Sequence, residues 1–367
     1  MNHRPLKWFQ IAALNTQMHL DNPLVSVILP AYNAQADIAQ AVASVLNQDY
    51  ANLELLVIDD GSTDGTAQHP ALQGPRIRVL QQSNAGPAAA RNLGLANAQS
   101  ELIAFIDADD LWLPGKLRTQ VAYLQSQPEI SVVFGGFARW LAENNGHFET
   151  PPWIEPTGDP LALTSPSGWI YPDLLLDSVV HIITAMVRCE VFDAVGHFDT
   201  QLPTGEDFDF WLRASRQFQM HQLARTLARY RIHPHSLTKV PRPENNELRV
   251  LQKALQTWGS AGPDARQVDA AALKRRLFGI CFGHGYFHFW HGSKTQTRKA
   301  FGQALRHDFW HPKVWAYWMS AAIWLTALPR SRLLHHHPAR MSHISSLMIE
   351  TEADTFLKTT IPPRKAT

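Results

Sequence analysis

Cysteine is almost absent. The 367 residues hold two, Cys189 and Cys281, too few for a disulfide scaffold or a thiolate zinc site, and their scarcity fits a reducing compartment. An excess of charge is missing too. Thirty-three Lys and Arg stand against 32 Asp and Glu, a net charge of +1, so bulk attraction to nucleic acid is not expected, a local basic patch aside, and no nucleic-acid partner is predicted. No run of roughly 18 apolar residues occurs, which argues against a conventional transmembrane helix. The stretch Met1 to Asn22 is polar and mixed, without the apolar core and small-residue cleavage site of a secretory signal. A cytoplasmic chain is the expectation. What is plentiful is apolar content, 45% against 18% charged, enough to bury one large domain with a smaller partner.

The nearest approach to a membrane segment is VWAYWMSAAIWLTAL, Val314 to Leu328, preceded by Lys313 and followed by Arg330 and Arg332. As a helix it spans roughly 22 Å at 1.5 Å per residue, short of a ~30 Å hydrocarbon core. It reads either as a buried helix of a C-terminal bundle or as an interfacial helix with Trp315, Trp318 and Trp324 at headgroup depth. The second reading makes the chain peripheral at the inner face of the cell membrane, where His335 to His337 would touch anionic lipid.

Short apolar runs alternate with helix-like stretches. VSVIL (Val25 to Leu29), LELLVI (Leu53 to Ile58) and LIAFI (Leu102 to Ile106) read as strands buried on both faces, with Ile77 to Leu80 weaker. Ala36 to Leu46 and Ala88 to Ala98 read as the intervening helices. This is an α/β pattern, a Rossmann-like, mostly parallel sheet with helices on both faces. Ser131 to Phe137 offers a further strand, Phe208 to Phe218 a helix, and Arg229 to Ile232 a short strand. Trp140 to Asp173 reads as an irregular loop. After the linker PRPENN, Pro241 to Asn246, three stretches look helical: Glu247 to Trp258, Asp269 to Trp290 and Thr297 to His307. The expected division is an N-terminal extension (1–23), an α/β domain (24–240), a C-terminal helical region in position to meet a membrane (241–340) and a poorly ordered tail (341–367).

Each strand runs into a polar turn, and in open α/β sheets ligands sit at the carboxyl ends of strands. Asp107 and Asp109 follow LIAFI. On a strand, residues two apart share a face, so two carboxylates would converge as hard ligands for Mg²⁺ or Mn²⁺; alone, such a turn would more simply cap the next helix. DDGSTDGT has the look of a calcium loop, yet its twelfth position from Asp60 is Ala71, where a bidentate Glu is needed. Glu206, Asp207 and Asp209 open an amphipathic helix. They oppose its dipole, and the same place suits a general base held at a rigid element's end. His284, His288 and His291 share one helical face but have no acidic neighbour in sequence, so aromatic packing is favoured over metal binding. Trp112 reads as packing; Trp153 and Trp169, on the irregular segment, read as candidates to stack on a ligand. Arg91 reads either as the partner of a nearby carboxylate or as a phosphate clamp.

Taken in order, VSVILPAYN, LLVIDDGSTDGT, NAGPAAARNLGL, FIDADD, PTGEDFDFWLR and YRIHPHS resemble family 2 glycosyltransferases from about Val25 to Thr238. The resemblance implies the GT-A fold and inverting transfer from a nucleotide sugar, by default a UDP-sugar, to a glycan or lipid-linked glycan acceptor. It places Pro30, Ala31, Tyr32 and Asn33 along the nucleotide, with Tyr32 near the base. One of Asp59 and Asp60 would accept the uracil N3 proton, Asp59 slightly favoured, and Gly86 would admit the donor close to the backbone. Asp107, Ala108 and Asp109 match the family's DXD, with Asp109 the direct ligand of Mn²⁺ or Mg²⁺ and Asp107 facing the ribose. Asp207 matches the catalytic base, Glu206 its acidic neighbour, and His233 a histidine that contacts metal or diphosphate. The implied setting is surface-polysaccharide or glycolipid assembly. Two rivals stand beside it: a nucleotide-sugar-binding scaffold without turnover, and a nucleotidyltransferase, which PAYNAQAD disfavours because it lacks a basic residue.

Overall fold

The computed structural model describes residues 22–141, 148, 159–232 and 242–327. In chain order the first elements are β1 (Val25–Ala31), α1 (Ile38–Leu46), β2 (Leu53–Asp59), β3 (Ile77–Gln81), α2 (Pro87–Asn97), β4 (Leu102–Phe105), β5 (Leu111–Trp112) and α3 (Lys116–Ser126). There follow β6 (Val132–Leu141), β7 (Leu163–Gly168), α4 (Tyr171–Leu174), β8 (Met186–Arg188), α5 (Cys189–Val195), α6 (Glu206–Ala214) and β9 (Met220–Ile232). The helical region comprises α7 (Asn246–Trp258), α8 (Ala270–His291), α9 (Lys294–His307) and α10 (Pro312–Ala327).

The strands form one mixed sheet in the order β3-β2-β1-β4-β8-β6-β9-β5, with β7 also on β9. Its first half is parallel. β1 lies between β2 and β4, with Ala31 opposite Asp59 and Ile28 opposite Phe105. That register brings the carboxyl ends of three apolar strands to one edge. The second half mixes antiparallel pairs with the parallel pair β6–β9. A bulge at Gly135 and Gly136 bends β6 against β9. At Gly135 a Cβ would lie 2.7 Å from the carbonyl oxygen of Arg225, so only glycine lets the strands approach this closely.

Burial follows the pattern that shaped each element. β2 is buried at every position, and α1 turns Ile38, Ala41, Val42 and Val45 inward at helical spacing. β4 stops at Phe105, one residue earlier than the apolar run, so Asp107 and Asp109 lie on a turn and strand alternation does not set their direction. β9 runs for thirteen residues, of which the sequence showed only the last four as a strand. The stretch expected to be irregular contains β7 and α4. The segments 1–21 and 328–367, including the expected tail, lie outside the described residues.

The helical region is welded to the sheet domain. Asn245 caps α7, accepting from the Leu248 amide at 3.0 Å. The Tyr171 hydroxyl donates to the carbonyl oxygens of Gly259 (2.9 Å) and Ala254 (3.2 Å), and apolar side chains of α7 to α10 continue the core of the sheet. His284 and His288 pack ring to ring at 4.5 Å, and His288 Nε2 donates to the Arg242 carbonyl at 2.6 Å. No group of three metal-ligating side chains forms among the described residues. Trp112 is core: its Nε1 donates to the Ile183 carbonyl at 2.9 Å, and buried Lys116 lies 4.2 Å from its ring.

Candidate active site

The loops after β1 and β2 are sewn together. Asn33, at a positive φ of 50°, donates its amide to Ser62 Oγ (2.9 Å) and accepts from the Thr63 amide (2.8 Å). The Ala34 amide donates to Thr66 Oγ1 at 2.8 Å. Pro30 and Ala31 end β1 beneath this lattice, and the Tyr32 side chain stands 51% exposed above it. An exposed ring on a pinned backbone offers a flat face to solvent.

Asp59 and Asp60 are both buried, but their carboxylates are used differently. Asp60 is saturated. Oδ1 accepts from Gln82 Nε2 (2.7 Å) and the Ala85 amide (2.8 Å), and Oδ2 from the Gly86 amide (2.8 Å). These bonds hold Gly86 at a φ of 87° with nothing within 4 Å of where a Cβ would be, leaving backbone open to a ligand. Asp59 has only long contacts, from the Ser62 amide (3.2 Å) and Gln81 Nε2 (3.3 Å). Its carboxylate keeps acceptor capacity that Asp60 has spent.

On the far side of Gly86, α2 carries Arg91 into the centre of the site. The guanidinium is buried, with Nη1 2.5 Å from Glu206 Oε1 and Nη2 2.7 Å from Asp107 Oδ1. Burial disfavours its charge, but Asp107, Glu206 and Asp207 outweigh that and hold it protonated. Arg91 thus joins the turn after β4 to the start of α6. There Gly205 adopts a φ of 78° and releases Glu206, Asp207 and Asp209 into the first helical turn. Burial raises both Glu206 and Asp207 above the ordinary carboxylate range, and Arg91 partly offsets it. Asp209 faces elsewhere, pairing with Arg213 and Lys253.

The DADD turn is fixed from behind by Arg231 on β9. Its amide donates to Asp110 Oδ1 (2.7 Å) and its Nε to the Asp109 carbonyl (2.6 Å), while Nη1 reaches Asp37 (2.7 Å). The Trp140 ring lies 4.2 Å from this guanidinium. Ala108 is buried inside the turn, while Asp109 is partly exposed. Asp110 is buried and its pKa is raised well above a carboxylate's usual range, by burial first and then by the charges of Asp109 and Asp107. Six carboxyl groups therefore gather around two guanidinium groups: Asp37, Asp107, Asp109, Asp110, Glu206 and Asp207 around Arg91 and Arg231. Asp107 and Asp109 put hard oxygens on a rigid turn, the donor type that suits a divalent cation whose shell is completed by substrate phosphates and water. No third ligating side chain joins them among the described residues. His233 lies outside the described residues, as does Trp153. Trp169 is partly buried, and its carbonyl accepts from Arg266 at 2.8 Å.

Sequence reasoning missed His181. It precedes β8 and packs at a tilt against Phe137 (4.6 Å) and Tyr230 (4.8 Å), and its Nδ1 is buried without a hydrogen-bond partner. Burial lowers its pKa, and the charges that act on it are those of Asp107, Arg91 and Asp109. A buried imidazole whose Nδ1 has no partner thus lies within the field of the acidic turn. Only the tertiary fold reveals this, because no motif surrounds the residue.

The architecture is that of an α/β protein with an acidic site at the carboxyl ends of its parallel strands. Residues 26–159 match the family described as Glycosyl transferase family 2. The putative teichuronic acid biosynthesis glycosyltransferase TuaG of Bacillus subtilis is 31% identical over 227 residues, 59% of this chain and 82% of that protein. An uncharacterized glycosyltransferase of Rickettsia felis is 30% identical over 232 residues, 62% of this chain and 37% of the relative, so the chain spans little more than a third of that relative's length. S. aureus TarS 1–349 superposes with a TM-score of 0.53 at 20% identity, over 81% of this chain and 83% of that one. Its complex with UDP-GlcNAc gives 0.52 at 19% identity, over 81% and 84%. The chain belongs to glycosyltransferase family 2 and has the GT-A fold with C-terminal helices.

Proposed function

We propose that this chain is an inverting glycosyltransferase that moves a sugar from a UDP-sugar to a hydroxyl of a glycan or lipid-linked glycan. The observation that carries the reading is the Arg91 bridge, which holds the turn of Asp107 and Asp109 against the start of α6 where Glu206 and Asp207 stand. Donor-binding and proton-accepting groups must share one rigid frame for an in-line displacement. In this reading Tyr32 stacks on the uracil, Asp59 accepts its N3 proton, and the open backbone at Gly86 borders the diphosphate. Asp107 and Asp109, with His233, would hold Mn²⁺ or Mg²⁺. When bound, that ion supplies Lewis acidity to the departing diphosphate.

Asp207 acts as general base. Its raised pKa keeps the carboxylate basic enough to take the proton of an acceptor hydroxyl, help typically worth ~10²–10⁴-fold. Glu206, paired to Arg91, fixes the start of the helix that presents Asp207. No covalent sugar–enzyme step is needed, since one displacement inverts the anomeric centre. The UDP-GlcNAc complex of the similarly folded TarS supports a UDP donor. The teichuronic-acid role in TuaG's name supports an envelope-polysaccharide acceptor. The deciding experiment is calorimetric titration of UDP and GDP with and without Mn²⁺, repeated on Asp109→Ala. Metal-dependent UDP binding lost in the variant sustains the reading; preference for GDP overturns the donor, and no binding of either overturns the activity.

A further inference from the structure

We propose that the face formed by α9, α10 and the Phe309–Trp310 turn between them docks on the surface of an anionic lipid bilayer. The surface stands on its own observations and does not rest on the glycosyl-transfer reading.

Charge in this chain is segregated. Between residues 270 and 327 there are eight Lys and Arg and one acidic residue, Asp308. The rest of the chain therefore holds 25 basic against 31 acidic residues and is net negative, although the whole is balanced at +1. The basic groups accompany exposed rings. Trp310 is 84% exposed and Phe309 53%, on the turn between two helices. Ring contacts run from Trp310 to Phe309 (5.1 Å), on to Trp315 (5.4 Å) and to Trp318 (5.7 Å), over which Arg298 lies at 5.3 Å.

α10 shows which side is outward. Val314 and Ala321 are buried against α8 and α9, while Met319, one turn after Trp315, is 48% exposed. The inward face, with Trp315 and Trp318 packed partly against the core, is therefore satisfied. The outward surface presents Met319 and the exposed rings of Phe309 and Trp310, with exposed Arg298, Lys299 and Lys313 on the same helices. Among the described residues no helix is long and apolar enough to cross a membrane, so the chemistry fits lying on a bilayer. Aromatic rings at an exposed turn settle at headgroup depth, and basic side chains meet anionic headgroups at about 1 kcal/mol each. A second copy is the weaker occupant, because a two-fold contact would set this basic face against itself.

Flotation of the full chain with vesicles tests the proposal. The protein should float with phosphatidylcholine vesicles containing roughly a third phosphatidylglycerol, stay behind with pure phosphatidylcholine, and be released by high salt, which screens surface charge. Phe309→Ser with Trp310→Ser should lower the bound fraction at least about tenfold, since two exposed rings lose their burial. Arg298→Glu with Lys299→Glu should lower it by about as much or more. Circular dichroism and the thermal unfolding midpoint of both variants should match the parent, showing that the fold is intact. Absence of flotation by the parent chain overturns the proposal, as does equal flotation of the Phe309/Trp310 variant. A concentration-dependent dimer in sedimentation velocity that this variant abolishes would instead make the face a self-association surface. Binding to heparin that ignores the Phe309/Trp310 change and outcompetes vesicles would make it a polyanion surface, and overturn the bilayer.

Discussion

Arg91 holds Glu206 at 2.5 Å across 115 residues of chain, and its other amino group holds Asp107 at 2.7 Å. One planar fork thus ties the DADD turn to the helix that carries Asp207. Arg91→Ala would leave two carboxylates facing each other with no cation between them. Breaking a buried ion pair by removing one partner costs about 3–5 kcal/mol. Urea unfolding should show a loss of that size, and Arg91→Lys should recover only part of it because an ammonium cannot bridge two carboxylates in the same plane. A stability unchanged in Arg91→Ala would mean that the bridge does not organise the site.

Asp207→Asn separates chemistry from binding. The amide keeps the shape and still accepts from the Phe208 amide, as Asp207 Oδ1 does at 2.8 Å, but it cannot take a proton. Turnover should fall by about two orders of magnitude or more, with UDP affinity unchanged by calorimetry. Loss of nucleotide affinity instead would move Asp207 from base to binding residue.

The same carboxyl group sets a pH limb. Burial raises Asp207 above the usual carboxylate range, near 4 in model peptides (~3.9), with Arg91 opposing. A base works only when ionised, so kcat/KM should rise with pH through the raised value, and the acidic limb should lie above that range. Stability runs the other way. A carboxyl group whose folded pKa exceeds its unfolded one binds its proton more tightly in the fold. Its contribution is full below the unfolded pKa and is lost as pH rises through the folded one. Asp110, raised further by burial and by Asp109 and Asp107, should dominate this loss. Asp110→Asn should therefore flatten the decline of stability from the carboxylate range upward, measured as unfolding midpoints against pH.

Much of this frame was legible beforehand. VSVIL, LELLVI and LIAFI are unbroken apolar runs because parallel strands bury both faces, and the turns that follow them carry the acidic residues. What escaped notice was set by tertiary contacts. β9 spaces Met220, Leu223 and Leu227 three and four apart, a helical interval that disguises a thirteen-residue strand. β8 has only three residues. α3 starts with Lys116, whose burial among Trp112 and Gln120 no composition rule anticipates. His181 sits outside any motif, and Arg231, inside YRIHPHS, was passed over for His233; only folding brings both to the DADD turn. Between Asp59 and Asp60 the resemblance favoured Asp59 only slightly, since their difference lies in which donors reach each carboxylate.

That difference yields a paired prediction. Asp60→Asn should disturb the loop of Ala85 and Gly86, because one of its terminal atoms becomes a donor facing amide donors. Losing a satisfied buried acceptor costs about 1–3 kcal/mol, visible as a lower unfolding midpoint. Asp59→Asn should leave the midpoint near the parent's, since its contacts are long. It should instead weaken UDP by about tenfold or more, because the uracil N3 proton would meet a poorer acceptor. Calorimetry and thermal unfolding on both variants decide the matter, and the reverse pattern would assign the base contact to Asp60.

His181 supplies the last test. Its ring packs between Phe137 and Tyr230 while Nδ1 has no partner, and leaving a buried polar atom unpaired costs about 1–3 kcal/mol. Such a cost is retained where a ligand later satisfies the group. His181→Phe should keep the ring packing and relieve the orphaned nitrogen, so thermal stability should hold or rise. If a donor or acceptor hydroxyl pairs with Nδ1, kcat/KM should fall by about tenfold, the worth of one hydrogen bond. The pH profile should stay unchanged, since burial keeps the imidazole neutral. A rise in stability with full kcat/KM would make His181 a packing residue, and a displaced pH limb would make it a participant in proton transfer.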